Sequence, residues 1–305
     1  MVLGFFKRSS RPKDPELRRI VEQGFGEDTV AEESPYPVIL VKPYNFVSRY
    51  IEENSGLLRG GVEEAAKYLS VDTYSREFRL RGSLEDVRRL VKAVPGALSS
   101  INLVVVDAID TRAYLLSYYA VITAARLETE QGTTYGIEAV TKLAAMNRGV
   151  ALSFIELREQ ALRWEPRLSV YVEGLDREHM VIATSLNNLY KYMLVGAPRE
   201  ELAERMGLVS KLCRQHIEDE EKVLAAYKYP ELDKHQAEHR AVIRHLVLLE
   251  DSFDGRETPP LERIVDLARI IESHLASSDR AYAEWMIKQK IPIADKNLPQ
   301  KYEQI

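Results

Sequence analysis

The pattern of apolar and polar positions changes character near residue 160. In the first half, two short apolar runs are typical of buried strands: Pro37–Lys42 and Ile101–Val106. Three stretches there predict helices: Leu84–Val94, Thr111–Leu127, and one that starts near Gly136. This mixture predicts an α/β or α+β domain over residues 35–160, preceded by an extension over residues 1–34.

The second half contains four long stretches with helical periodicity and no convincing strand. They are Asp176–Leu194, Arg199–Tyr227, Leu232–Asp251 and Leu261–Ile287. Proline or glycine separates each stretch from the next, and the connections are short. Short connections between long helices require antiparallel neighbours, so we predict an up-down-up-down four-helix bundle over residues 161–290. Residues 291–305 form a tail.

Composition narrows the functional classes. The chain of 305 residues has 42 Lys+Arg against 47 Asp+Glu, so the basic surplus of a general nucleic-acid binder is missing. A single cysteine excludes a disulfide framework and a cysteine-based zinc or iron–sulfur site. No apolar run reaches the roughly 18 residues of a membrane span. We expect a cytoplasmic protein, with the apolar start Met1–Phe6 as a frayed terminus rather than a membrane foot.

All six histidines lie between His179 and His274, on the four predicted helices. The first helix carries one candidate ligand and each later helix carries two: His179; His216 and Glu220; His235 and His239; His274 and Asp279. Residues four apart share a helix face, whereas residues five apart are separated by about 140° on a regular α-helix. One such pair is commonly a coincidence of core or surface residues. An ordered set across all four helices predicts a metal site.

Five imidazoles and two carboxylates exceed what one ion uses but suit two borderline ions such as iron. His245 lies about 240° from His239 around the third helix, so we expect it to be no ligand. Glu221 is not among the candidate ligands, and we expect its replacement by glutamine to have little effect on the pair of ions. Cys213 precedes His216 by three residues, and we interpret it as a small core residue rather than a cavity-lining one.

Several segments resemble motifs of the hemerythrin family over residues 161–288. They are Trp164 with Leu168–Val170 and Leu175–His179, His216–Glu221, Tyr229–His239, and His274–Asp279 followed by Tyr282. The resemblance implies that His235, His239 and His274 bind one iron ion and that His179 and His216 bind the other. It further implies that Glu220 and Asp279 bridge the ions, with an oxo or hydroxo bridge and dioxygen as ligand. Ile217 and Ile270 depart from the family's usual aromatic residues.

We therefore expect a diiron protein that binds dioxygen for sensing, storage or delivery, and not an enzyme. The same ligands also suit a diiron enzyme acting on peroxide or nitric oxide, an iron store, or a scaffold with a structural metal. Residues 35–160 show no trusted catalytic motif. A weak resemblance to the small kinase-binding subunit of the KEOPS complex suggests that they bind a protein partner. Tyr114, Tyr118 and Tyr119 then form either an exposed patch or core packing.

Overall fold

The computed structural model describes residues 51–92, 101–118, 121–253 and 257–291. The predicted strand Pro37–Lys42, the extension over residues 1–34 and the tail after Ile291 lie outside these ranges. The first half comprises α1 (Val62–Leu69), β1 (Ser70–Arg79), α2 (Leu84–Lys92), β2 (Ile101–Ala108), β3 (Thr111–Tyr118), β4 (Val121–Thr129), β5 (Gly132–Tyr135), α3 (Gly136–Ala144) and β6 (Gly149–Leu157).

The six strands form one antiparallel sheet in the order β1-β6-β2-β3-β4-β5. Val104 lies opposite both Leu115 and Phe154, so these apolar side chains share one face of the sheet. In the sheet core they pack with residues of α2 and α3, such as Val87 and Leu143. Helices packed on an antiparallel sheet make this half an α+β region.

The helix predicted over Thr111–Leu127 is wrong, because this segment forms the antiparallel strands β3 and β4. Seven of the eight β3 residues are buried, and a segment without regular apolar–polar alternation does not distinguish a central strand from a buried helix. The helix predicted to start near Gly136 is present as α3. That helix ends at Ala144, and β6 pairs with both β1 and β2.

Two of the three tyrosines considered for an exposed patch are buried. Tyr114 and Tyr118 are 6% and 4% exposed, whereas Tyr119 lies outside the described residues. The Tyr114 hydroxyl donates a hydrogen bond to Glu63 (2.9 Å). The core interpretation is therefore the correct one for both described tyrosines.

The second half is helical, as predicted. Its elements are α4 (Glu173–Val195), α5 (Arg199–Ala226), α6 (Leu232–Phe253), α7 (Leu261–His274), a π-helical turn (Leu275–Asp279) and α8 (Arg280–Lys288). Gly196, with a φ of 75°, ends α4 in the left-handed conformation that glycine adopts without strain. Among the helices that the structure describes, none combines the length and apolar character needed to cross a membrane.

Backbone proximity divides the chain into two units. The first contains the described residues up to Gln160 together with Tyr190–Ala203 and Ser252–Val265; the second contains Ala161–Leu189, Glu204–Asp251 and the described residues from Asp266 onward. Within the first unit, the Thr123 hydroxyl donates to the carbonyl of Leu194 (2.8 Å), and the Thr258 amide donates to the carbonyl of Glu53 (3.0 Å). Gly56 lies so close to the Thr258 carbonyl that a Cβ atom would clash.

Candidate metal centre

The structure brings all seven candidate ligands together within the second unit. They form two groups, in each of which one potential ligand atom per residue lies within 4.8 Å of the others. The three-histidine group contains Glu220, His235, His239, His274 and Asp279. The two-histidine group contains His179, His216 and Glu220. His245 belongs to neither group and is half-buried.

Glu220 faces both groups with different oxygens. Its Oε2 lies 2.9 Å from His235 Nε2 and 3.0 Å from His239 Nε2. Its Oε1 lies 3.9 Å from His216 Nε2. The Glu220 carboxylate on α5 thus lies close to one histidine on α5 and to two histidines on α6.

Asp279 is arranged in the same way. Its Oδ1 lies 3.0 Å from His274 Nε2 and 3.6 Å from His235 Nε2, and its Oδ2 lies 3.7 Å from His179 Nε2. The Nε2 atoms of His179 and His216 are 2.9 Å apart. Two carboxylates between two sets of imidazoles can bridge a pair of ions.

The π-helical turn explains how His274 and Asp279 meet. The sequence predicted one continuous α-helix over Leu261–Ile287, in which residues five apart point about 140° away from each other. In the structure, Leu275–Asp279 forms a π-helical turn, whose i→i+5 pattern places the fifth residue close to the first. The unusual spacing of five was itself the signal for this turn.

The chemistry of the donor atoms fits metal ions. His239 Nε2, His274 Nε2, Glu220 Oε1 and both oxygens of Asp279 are buried and have no hydrogen-bond partner among the described residues. Buried polar atoms normally have a partner, because an unsatisfied one costs on the order of 1–3 kcal/mol. Buried imidazole nitrogens and carboxylate oxygens that converge in this way are a donor set suited to metal coordination.

Three further carboxylates, which the sequence did not reveal, accept hydrogen bonds from the Nδ1 atoms of candidate ligand histidines. His216 Nδ1 donates to Glu178 (2.9 Å), His239 Nδ1 to Glu221 (2.8 Å), and His274 Nδ1 to Glu238 (3.3 Å). Each carboxylate is adjacent in sequence to a candidate ligand but serves a histidine on another helix. Helical-face patterns on one helix could not reveal these contacts. Such partners fix the tautomer that leaves Nε2 free for a metal.

Glu221 therefore has a contact that the sequence analysis did not anticipate. Besides His239, it accepts a hydrogen bond from the Gln236 side chain (2.9 Å). Glu221 is not among the clustered residues that could bind a metal, but it holds an imidazole of the three-histidine group.

Burial and charge set the protonation of the centre without metal. Burial, assisted by the neighbouring His216, lowers the pKa of His179 to about 3, so its imidazole is neutral at physiological pH. Burial also opposes ionisation of Glu220, but the nearby imidazoles of His235 and His239 hold its pKa well below the usual value. For His274, burial acts to lower the pKa, yet the Asp279 carboxylate outweighs it and raises the pKa to about 9.

A small cavity of about 30 Å³ borders the centre, which we call the apolar cavity. Its lining consists of His179, Ile182, Cys213, His216, Ile217, His239, Val242, Ile271, His274, Leu275 and Asp279. Cys213 is buried, as expected, but it also lines the cavity. Ile217 lines the cavity, and Ile271 rather than its neighbour Ile270 provides the apolar side chain from α7. The volume has room for one small molecule.

Comparisons with known proteins agree with the site. Residues 170–286 match the family model described as "Hemerythrin HHE cation binding domain". The match contains all seven clustered residues and does not extend into the sheet region. Neither the comparison with curated proteins nor that with solved structures found a match. The family match and the side-chain cluster together indicate a hemerythrin-like, metal-binding segment.

Proposed function

We propose that this hemerythrin-like segment holds two iron ions and binds dioxygen reversibly, so that the protein senses, stores or delivers oxygen. One observation carries the proposal: two groups of imidazoles share carboxylates that face both groups with separate oxygens. His235, His239 and His274 are assigned to one ion, and His179 and His216 to the other. Glu220 and Asp279 are assigned as bridges.

The unequal number of histidines supports ligand binding at one ion only. With both carboxylates shared, the ion at the two-histidine group has one protein donor fewer than its neighbour. His179 and His216 also line the apolar cavity, so a small molecule in that cavity lies beside this ion's ligands. When bound, a pair of ferrous ions supplies the two electrons that reversible dioxygen binding requires, which no side chain of this chain can supply.

The chain's own residues would select the ligand and limit side reactions. Ile182, Ile217, Val242 and Ile271 give the cavity an apolar wall, which favours a neutral diatomic molecule over water or anions. Glu178, Glu221 and Glu238 hold three imidazoles in one orientation through their Nδ1 atoms. The protein thereby fixes coordination and keeps the site dry.

The test is the visible spectrum of the reduced, iron-loaded protein during cycles of air and deoxygenation. We expect a charge-transfer band that forms in air and disappears each time oxygen is removed, and the same behaviour in the His245→Ala control. A single irreversible conversion to a ferric product would contradict reversible binding and would favour a diiron enzyme acting on peroxide or nitric oxide, or an iron store.

Residues 35–160 are the proposed partner-binding part of the chain. Their described residues bring together no group of histidine, cysteine or acidic side chains suited to a metal. The sheet region therefore contributes no ligand to the proposed centre, which leaves it available for contacts with another protein.

A further inference from the structure

A second cavity borders the three-histidine group and differs in chemistry from the apolar cavity. It measures about 210 Å³ and lies between the start of α6 and the π-helical turn. Its lining includes Glu231, Lys234, Glu238, Ser277 and Ser278, and we call it the polar cleft. Two cavities of opposite character thus lead to the same cluster.

The inner wall of the polar cleft is made by the proposed metal site itself. His235, which is 3% exposed, lines the cleft and belongs to the three-histidine group. Glu238 lines it too, and accepts hydrogen bonds from His274 Nδ1 (3.3 Å) and from the Ser278 hydroxyl. The cleft therefore ends at residues that bind or hold proposed ligands.

The outer part of the cleft carries one charge of each sign. The Lys234 ammonium lies 3.5 Å from the Glu231 carboxylate, and the two side chains are 73% and 60% exposed. Neither side chain belongs to the groups that can hold a metal. Glu231 and Lys234 can therefore be replaced by mutation without removing a proposed metal ligand.

The two cavities differ in how much of its hydration shell a divalent cation would have to lose on entry. A hydrated divalent ion does not fit the apolar cavity of about 30 Å³, so an ion that entered there would have to shed its water molecules in a space with many hydrocarbon side chains, which is costly. The polar cleft has room for several water molecules and offers carboxylate and hydroxyl oxygens along its wall.

We propose that the polar cleft is the route by which a hydrated divalent metal cation reaches the three-histidine group, with Glu231 attracting it and Lys234 opposing it. This inference rests on the proposed metal centre. Dioxygen and metal then use separate approaches, one apolar and one polar. A unit charge at the mouth of the cleft changes the uptake rate of a dication by roughly three- to tenfold at low salt.

The experiment follows Co²⁺ uptake by the full-length, metal-free protein in stopped flow at low ionic strength, through the visible absorption of bound cobalt. We expect Glu231→Gln to slow uptake three- to tenfold and Lys234→Gln to accelerate it by a similar factor. Both differences should shrink in high salt, and the final cobalt content should stay at the wild-type value in each variant.

Glu218→Gln is the matched control, because it makes the same charge change at an exposed position on α5 away from the cleft. We expect its uptake rate to stay within twofold of wild type. If Glu231→Gln and Lys234→Gln also stay within twofold while all proteins reach the same cobalt content, the proposed route is wrong and the metal centre stands. If the wild-type protein takes up no cobalt or iron, the proposed centre itself is wrong.

Discussion

Glu220 and Asp279 each direct one oxygen toward the three-histidine group, and the second oxygen toward a histidine of the other group. At the scale of single residues, this arrangement predicts that replacing a histidine, a shared carboxylate or a supporting carboxylate changes iron binding in different ways. The seven residues selected by helical spacing lie close together in the structure, because each occupies the face of its helix that is directed at the others. Helical spacing could not predict Glu178, Glu221 or Glu238, whose hydrogen bonds cross between helices.

Removing an imidazole from the three-histidine group should reduce iron content. We expect His235→Ala or His239→Ala to lose at least one of two iron ions per chain, because the buried site offers no replacement nitrogen. Metal analysis of protein purified under iron-replete conditions measures this. His245→Ala, on the same helix but in neither group, should keep both ions; an equal loss in that variant would show that the ligand assignment is wrong.

Replacing Glu220, the proposed bridging carboxylate, should have a different effect from replacing its neighbour Glu221. We expect Glu220→Gln to keep the fold but to weaken or split the pair of ions. Glu221→Gln should weaken iron affinity by roughly ten- to a hundredfold while keeping two sites, because it disturbs only the support of His239. Competition with a chelator gives both affinities. A Glu221 variant with wild-type affinity would contradict the supporting role.

The Cys213 thiol should be inert in the folded protein. Burial raises its pKa to about 12, so almost no thiolate exists at neutral pH, and the side chain is 3% exposed. We expect a thiol reagent to modify it at least a hundredfold faster after unfolding in guanidinium chloride. Fast modification of the native protein would show that the apolar cavity opens to solvent.

At the scale of elements, the four long helices were predictable because each has an apolar stripe and a proline or glycine break. The strands β3 and β4 were not, since central strands buried on both faces show no alternation. A pattern based on 3.6 residues per turn also did not predict the π-helical turn, for which the spacing of five between His274 and Asp279 was the only signal. The role of the turn is to place Asp279 beside His274.

Moving the carboxylate from residue 279 to residue 278 tests whether the π-helical turn is what places Asp279 beside His274. In a regular α-helix, residue 278 would lie over His274, so the double variant Ser278→Asp/Asp279→Ser would keep the carboxylate in the site. With the π-helical turn present, we expect this variant to lose one or both iron ions. Asp279→Asn serves as the reference for a lost bridge. Wild-type iron content in the double variant would contradict the turn's role.

At the scale of the whole molecule, the sequence predicted two regions of different class, an α+β region and a helical one, and both are present. The boundary near residue 160 remains our proposal for the domain division. What the sequence could not show is that the segments Tyr190–Ala203 and Ser252–Val265 group with the sheet. Such contacts depend on side-chain hydrogen bonds between distant segments, including Thr123 with Leu194.

A fragment over residues 161–290 tests the division, because it keeps every candidate ligand. We expect it to bind iron, but to unfold at a lower temperature than the full chain. It lacks the partners of Leu194 and Thr258, and each lost buried hydrogen bond costs about 1 kcal/mol. Thermal unfolding and metal analysis of both proteins provide the comparison. A fragment that binds no iron would contradict the two-domain proposal.

The most direct test of the central claim is an anaerobic titration of the metal-free, full-length protein with ferrous iron. The two groups of ligands, joined by Glu220 and Asp279, predict saturation at two ions per chain. They also predict a Mössbauer spectrum with two inequivalent iron sites, because one group has three histidines and the other two. Saturation at one ion per chain, or no binding, would contradict the claim.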